Sequence, residues 1–304
     1  MQPLANPTSS LNHKSGILLF FCGLVTFAVF DAGSKYFLNF YPAPFLNVLR
    51  YSTVSVFALF LLLKHGVAPL PKGRILKLLV LRGVTLGVAG TAFMTALTWM
   101  PLAEATAIYF TSPLLIVALS AWLLNERVGR AQWYAVLAGL IGMLLIVRPG
   151  NELPILGTVL MAVAALSYAL FQLLTRKLAG LVPGHTQYAT TAFVCWIITA
   201  VPAPFFLPEI WPDSVDLALI IGLGVLNAMG QMLLIAAFQR VAASTLAPYN
   251  YCQLLMAVLI SSLVFKQAPD SLALGGIVLI IAAGVFLARR APASLPVYST
   301  EKIS

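Results

Sequence analysis

The sequence predicts an all-α membrane protein: ten transmembrane helices in two inverted five-helix repeats, with both termini cytoplasmic. Three observations lead there. Hydrophobic residues make up 61% of the chain and charged residues 9%, against roughly 25% charged in a soluble domain, so the main solvent is lipid. The apolar runs are long and continuous rather than alternating, which selects helices over barrel strands as the way to satisfy the backbone inside a bilayer. The second half of the chain repeats the first.

A span needs about 20 mostly apolar residues, and 304 residues hold ten with short loops. Residues 1–13 are polar and read as a disordered tail. Helix 1 is predicted over 14–37, an uncleaved first span because its apolar run is too long for a signal segment. Helix 2 covers 45–64, and a basic loop follows. Helix 3 covers 75–100 and carries Gly83, Gly87, Gly90 and Ala92, small residues that let helices approach closely. Pro101 ends it, and helix 4 covers 102–125. Helix 5 covers 131–147, and the first repeat is placed at 14–150. The second repeat, 151–290, holds helices at 155–178, 186–207, 217–239, 244–265 and 271–288. Residues 291–304 form a short cytoplasmic tail.

Orientation follows from lysine and arginine. With the N-terminus inside, the cytoplasmic ends collect Lys14, Lys64, Lys72, Arg74, Lys77, Arg82, Arg127, Arg130, Arg176, Lys177, Arg240, Arg289, Arg290 and Lys302. The outer ends keep Lys35, Arg50, Arg148 and Lys266, while the loop before helix 8 carries Glu209, Asp213 and Asp216. The net charge of +9 is thereby a topology signal. The basic residues form no clustered stripe, so no nucleic-acid partner is expected.

The repeat is read by shifting residues 16–42 by 141, which sets Ala28 on Ala169, Phe30 on Phe171, Ser34 on Thr175, Lys35 on Arg176 and Pro42 on Pro183. A shift of 139 sets Trp99 on Phe238, Ala103 on Ala242 and Thr106 on Thr245. Five spans per half is an odd number, so the second half lies inverted. In inverted-repeat carriers the site sits near the midplane between the repeats, and exchanging the two conformations alternates access.

The segments FDAGSK in helix 1, NVLRY in helix 2 and AEATAIYFTSPLLIVALSAWLLNERV with GLIGMLLIV in helices 4 and 5 resemble the EamA-type branch of the drug/metabolite transporter superfamily. The resemblance covers about residues 15–289. It implies a ten-helix, two-repeat fold, a multi-pass location in the bacterial inner (cytoplasmic) membrane, and movement of a small metabolite by alternating access. The second repeat departs from the pattern: Lys266-Gln267 stands where the first has Glu126, and its proline is displaced to Pro248. The DAxxK segment also resembles S-adenosylmethionine uptake carriers.

Ionisable residues inside spans are costly and are functional candidates. Asp31 and Lys35 lie four apart and share a helix face; Arg50 opens helix 2 near the same rim. They read as one ion network, serving either as a clasp or in substrate or proton coupling. Glu104 sits in a first helical turn, where the dipole favours an anion, and Glu126 beside Arg127 reads as a loop or gate anchor. These five are the coupling or gating candidates. The substrate-binding candidates are the mid-span polar and aromatic residues Trp99, Tyr109, Ser112, Tyr168, Gln172, Asn227, Gln231, Tyr249, Asn250 and Gln253. Amides and phenols are costly to bury unless partnered, and so many together predict a wet cavity. Pro113 and Pro248 each remove a backbone donor and are the hinge candidates.

The expected activity is secondary transport of an amino acid or nucleoside-like compound, with an S-adenosylmethionine-type carrier or exchanger as the alternative, and a channel or scaffold further behind. No GxxxxGK[ST] phosphate loop occurs, so ATP does not drive it directly. His13, His65 and His185 lie in tails or loops, and Cys22, Cys195 and Cys252 lack ligand spacing. No enzyme activity, cofactor or metal is expected. The expected partners are the small-molecule substrate and the lipid bilayer. Protons join them if Asp31 or Glu104 couples transport, whereas exchange or uniport needs neither acid. A monomer and a homodimer are both compatible with the sequence.

Overall fold

The computed structural model describes residues 7–66, 71–123, 129–147, 154–178, 181–238, 240, 249 and 251–290. Among these the chain is helical and contains no strand. Seven described helical segments are long and apolar enough to cross a membrane, and three shorter apolar helices accompany them.

The helices are α1 (Pro7–Phe37), α2 (Ala43–His65), α3 (Arg74–Leu97), α4 (Leu102–Tyr109), α5 (Ser112–Leu123), α6 (Arg130–Val147), α7 (Ile155–Leu178), α8 (Gly184–Ala200), α9 (Ser214–Phe238), α10 (Tyr251–Leu263) and α11 (Ser271–Arg290), with a 3₁₀ turn at Ala203–Phe205. Two boundaries differ instructively from the sequence expectation. α1 starts at Pro7 rather than residue 14, so part of the polar stretch expected to be a disordered tail is helical; proline is well placed at a helix start because its missing N–H has no intrahelical partner there. The long helix expected over 102–125 is two helices.

That break has a local cause. Pro113 offers no N–H to the carbonyl of Tyr109 one turn earlier. The chain tightens instead: the Phe110 N–H donates to the Thr106 carbonyl at 2.9 Å and the Thr111 N–H to Ile108 at 3.1 Å. The Thr111 hydroxyl also donates to the Ile108 carbonyl at 2.7 Å. α5 then restarts at Ser112, with Pro113 in its first turn. The shift of 139 carries Ser112 onto Tyr251, where α10 begins.

Helix packing recurs in equivalent pairs. α3 lies along α7 as α1 lies along α9, and α3 meets α8 as α2 meets α9. α4 and α5 contact α7 as α10 contacts α1, while α2–α8 and α6–α11 join counterparts directly and α4 also meets α10. Pro42 and Pro183 stand in the same role, as extended N-caps of α2 and α8 (φ −62, ψ 142 and φ −55, ψ 140). The α6–α11 crossing depends on two glycines: a Cβ on Gly142 would meet the Gly276 carbonyl oxygen at 2.8 Å, so the backbones touch. Such small-residue contacts replace the hydrophobic drive that lipid removes.

The main core gathers Leu97, Leu102, Ile108, Ile146, Met161, Leu254 and Ile280 from several helices. The outer surface is apolar, with Phe60, Leu63, Val201, Leu219 and Leu259 all exposed. An open apolar groove of about 450 Å³ between α2 and α9 belongs to this surface; Thr53 is its only polar lining residue among the described residues.

Candidate functional site

The site is built where α1, α3, α4, α7 and α10 converge. On α1 the two charged residues share a face and take different partners. The Asp31 carboxylate accepts a hydrogen bond from Gln253 Nε2 at 3.0 Å, joining α1 to α10. Lys35 Nζ donates to the carbonyls of Leu97 at 2.5 Å and Met100 at 2.8 Å. These carbonyls, at and just beyond the end of α3, are left without intrahelical donors. Arg50 lies with its guanidinium 4.3 Å from the Tyr51 ring centre and 5.4 Å from that of Phe30. The three residues expected as one ion network thus anchor three different contacts. Arg50 still lies within electrostatic reach of Asp31.

Aromatic rings continue from this acid. Phe93 and Tyr109 meet edge-on at 5.0 Å, Tyr109 and Tyr168 at 5.2 Å, and Tyr168 stacks on Phe171 at 5.9 Å. Phe110 and Tyr251 approach at 6.0 Å on the α10 side. Gln172 Nε2 donates to the Tyr168 hydroxyl at 2.9 Å. Tyr109 lies within electrostatic reach of Asp31, Arg50, Tyr51 and Tyr168, so acid, base and phenols share one half-buried to buried region. Gly90 makes room for it: a Cβ there would collide with the Tyr51 hydroxyl and the Arg50 guanidinium.

Several polar atoms on α2, α4 and α10 have no hydrogen-bond partner among the described residues: both amide atoms of Asn47, Arg50 Nε, Glu104 Oε2, Thr106 Oγ1 and the Tyr251 hydroxyl. Each such group costs about 1–3 kcal/mol. That cost is tolerated where a polar ligand or water completes the bonding.

Of the expected substrate-binding residues, the structure brings together Tyr109, Tyr168, Gln172 and Gln253, with Ser112 buried at the helix break beside the hinge candidate Pro113. Trp99, Gln231 and Tyr249 are exposed, and Asn227 is half-buried on α9. Glu104 is buried at the start of α4. Pro248, Asn250 and Glu126 lie outside the described residues. Sequence reasoning missed Asn47, Tyr51 and Phe93. It also counted Arg82 only among the charges at the cytoplasmic helix ends, whereas the structure buries it within α3. The available signal was its position within the apolar run LKLLVLRGVTLGV.

A family model decides what this architecture is. The EamA-like transporter family matches residues 14–148 and again 155–289. The chain belongs to this family. The Asp31–Gln253 bond therefore links one EamA-like segment to the other. Individual similar proteins carry transporter names. The S-adenosylmethionine uptake transporter of Rickettsia felis is 28% identical over 277 residues, 90% of this chain and 92% of that protein. The pseudopaline exporter of Pseudomonas aeruginosa is 28% identical over 289 residues, 91% and 96% of the two chains. The riboflavin transporter of Vibrio cholerae is 30% identical over 187 residues, 60% and 61%. A solved crystal structure shares the fold with a TM-score of 0.61 at 22% identity, covering 94% of this chain and 97% of its own.

Proposed function

We propose that this EamA-like protein is a secondary transporter that moves a small metabolite, an amino acid or nucleoside-like compound, across the bacterial inner membrane by alternating access. In this reading it has ten spans in two inverted repeats with both termini cytoplasmic. The observation that carries the proposal is the hydrogen bond from Gln253 to Asp31, a polar contact between apolar helices of the two family-matched segments. A half-buried acid between two similar halves is where a carrier can change its contacts as the halves exchange conformations. The adjoining rings of Tyr109, Tyr168 and Phe93 offer flat faces to a planar or cationic group.

The S-adenosylmethionine uptake relatives favour a second reading of the cargo, a cationic nucleoside-like sulfonium. The relatives' names span uptake and export, so direction is a separate question. The test is counterflow in proteoliposomes with S-adenosylmethionine, riboflavin, the common amino acids and nucleosides. Saturable counterflow of at least one, lowered by Gln253→Ala at equal protein abundance, supports the proposal. Unitary conductance without saturation would replace the carrier by a channel.

A further inference from the structure

Arg82 is not part of the central cluster, yet it is 8% exposed and bonded through two of its nitrogens. Its Nε donates to the Thr175 hydroxyl on α7 at 2.7 Å, and one terminal nitrogen donates to the Gln187 carbonyl on α8 at 3.0 Å. The same nitrogen also donates to the Thr191 hydroxyl. Its guanidinium carbon lies 4.5 Å from the Phe171 ring centre. Both threonines pass the bond onward, Thr175 to the Phe171 carbonyl at 2.7 Å and Thr191 to Gln187 at 2.8 Å. The Gln187 amide adds bonds to the Leu178 and Val182 carbonyls at 3.2 and 3.0 Å. These partners are all neutral, so one cation ties three helices together at the end where α3 and α8 begin and α7 finishes.

The opposite end of the bundle supplies the comparison. The shift of 141 carries Phe171, Thr175, Gln187 and Thr191 onto Phe30, Ser34, Leu46 and Arg50. These four line a cavity of about 10 Å³, closed on the α9 side by Ile220 and Leu223. The shift of 139 carries Arg82 onto Ile221 of α9. The α9–α1–α2 seam also carries a guanidinium, that of Arg50 near Phe30, but it leaves room for about one water beside it and its Nε has no hydrogen-bond partner among the described residues, whereas Arg82 Nε is bonded to Thr175 across the α3–α7–α8 seam.

We propose that Arg82 is the latch that holds the α3–α7–α8 end shut, and that its hydrogen bonds to neutral acceptors break each time that end opens during transport. The inference rests on the alternating-access reading above. Neutral acceptors suit a reversible latch, because a released guanidinium leaves no buried carboxylate behind, whereas breaking a buried ion pair would strand one.

Cys195 is a native reporter of this seam. It is fully buried, and its thiol donates to the Gly83 carbonyl across α3–α8 at 3.4 Å. The experiment uses the full chain in proteoliposomes with Cys22→Ser and Cys252→Ser, and a water-soluble maleimide as probe. Arg82→Gln is expected to raise the rate of Cys195 labelling at least about tenfold, the factor set by one lost hydrogen bond to a charged group. Arg82→Lys restores part of the protection. Thr191→Val, which keeps the side-chain shape, gives a smaller rise. A second reporter, Ser34→Cys with Cys195→Ala, reads the opposite seam and is expected to label no faster in Arg82→Gln. An unchanged Cys195 rate, or an equal rise at both seams, overturns the latch. The transport reading fails on different evidence, the absence of counterflow across the compounds named above in the wild-type protein.

Discussion

Gln253 and Asp31 stand 222 residues apart in the chain and 3.0 Å apart in space, the amide nitrogen donating to the carboxylate. Asp31→Asn preserves the shape of this contact and removes its charge. The expected result is a transporter that still exchanges substrate but no longer responds to an imposed proton gradient. A gradient response equal to wild type would remove Asp31 as the coupling group.

Gln253→Ala deletes the donor and leaves the carboxylate without it. Counterflow should fall about tenfold, since a hydrogen bond to a charged group contributes about 1.5–3 kcal/mol. Membrane abundance should stay unchanged. Wild-type rates at wild-type abundance would detach Gln253 from the site.

Tyr109 touches Phe93 on one side and Tyr168 on the other. Each such ring pair contributes about 0.5–1.5 kcal/mol beyond burial. Tyr109→Phe keeps both pairs and should retain most transport, whereas Tyr109→Ala should lose it and lower the unfolding temperature. Equal loss in both variants would assign the effect to the hydroxyl rather than the ring.

Lys35→Met keeps the side-chain stem and strips two donors from the carbonyls of Leu97 and Met100. The expected destabilisation is about 1.5–3 kcal/mol or more, read as a lower unfolding temperature in detergent. No change would mean those carbonyls find water instead.

Outside the spans, the Tyr41 hydroxyl donates to Asp216 at 2.5 Å, linking the α1–α2 turn to the start of α9. That bond, then desolvation and the charges of Asp216 and Asp213, pushes the phenol up to about 12 from 10.0. The folded chain thus holds this proton more tightly than the unfolded one. The resulting stabilisation is complete below about pH 10 and is lost as pH rises towards about 12. Thermal unfolding of wild type minus Tyr41→Phe should fall across that window; a flat difference would break the link.

Much of this was legible in the sequence because lipid imposes a simple rule. Each span must be apolar and continuous, so the segment of α7, 155–178, is read to the residue. Tyr168 and Gln172 were legible too, as polar residues one turn apart inside that run. The break at Phe110–Thr111 was only half legible: Pro113 marked a weak place, but whether the helix bends, continues or restarts depends on what packs around it.

The sequence by itself determined that the chain is a helical membrane protein, that its halves repeat, and which residue types interrupt the apolar runs. Those properties follow from composition and short periods. Only the tertiary structure decided which interrupting residues meet. It paired Asp31 with Gln253, sent Lys35 to the end of α3, and drew Arg82 from the charges counted at the cytoplasmic helix ends into a buried three-helix junction. Charge and spacing along one helix specify a face, whereas a hydrogen bond needs its partner within about 3 Å, and that partner is brought there by the packing of distant helices.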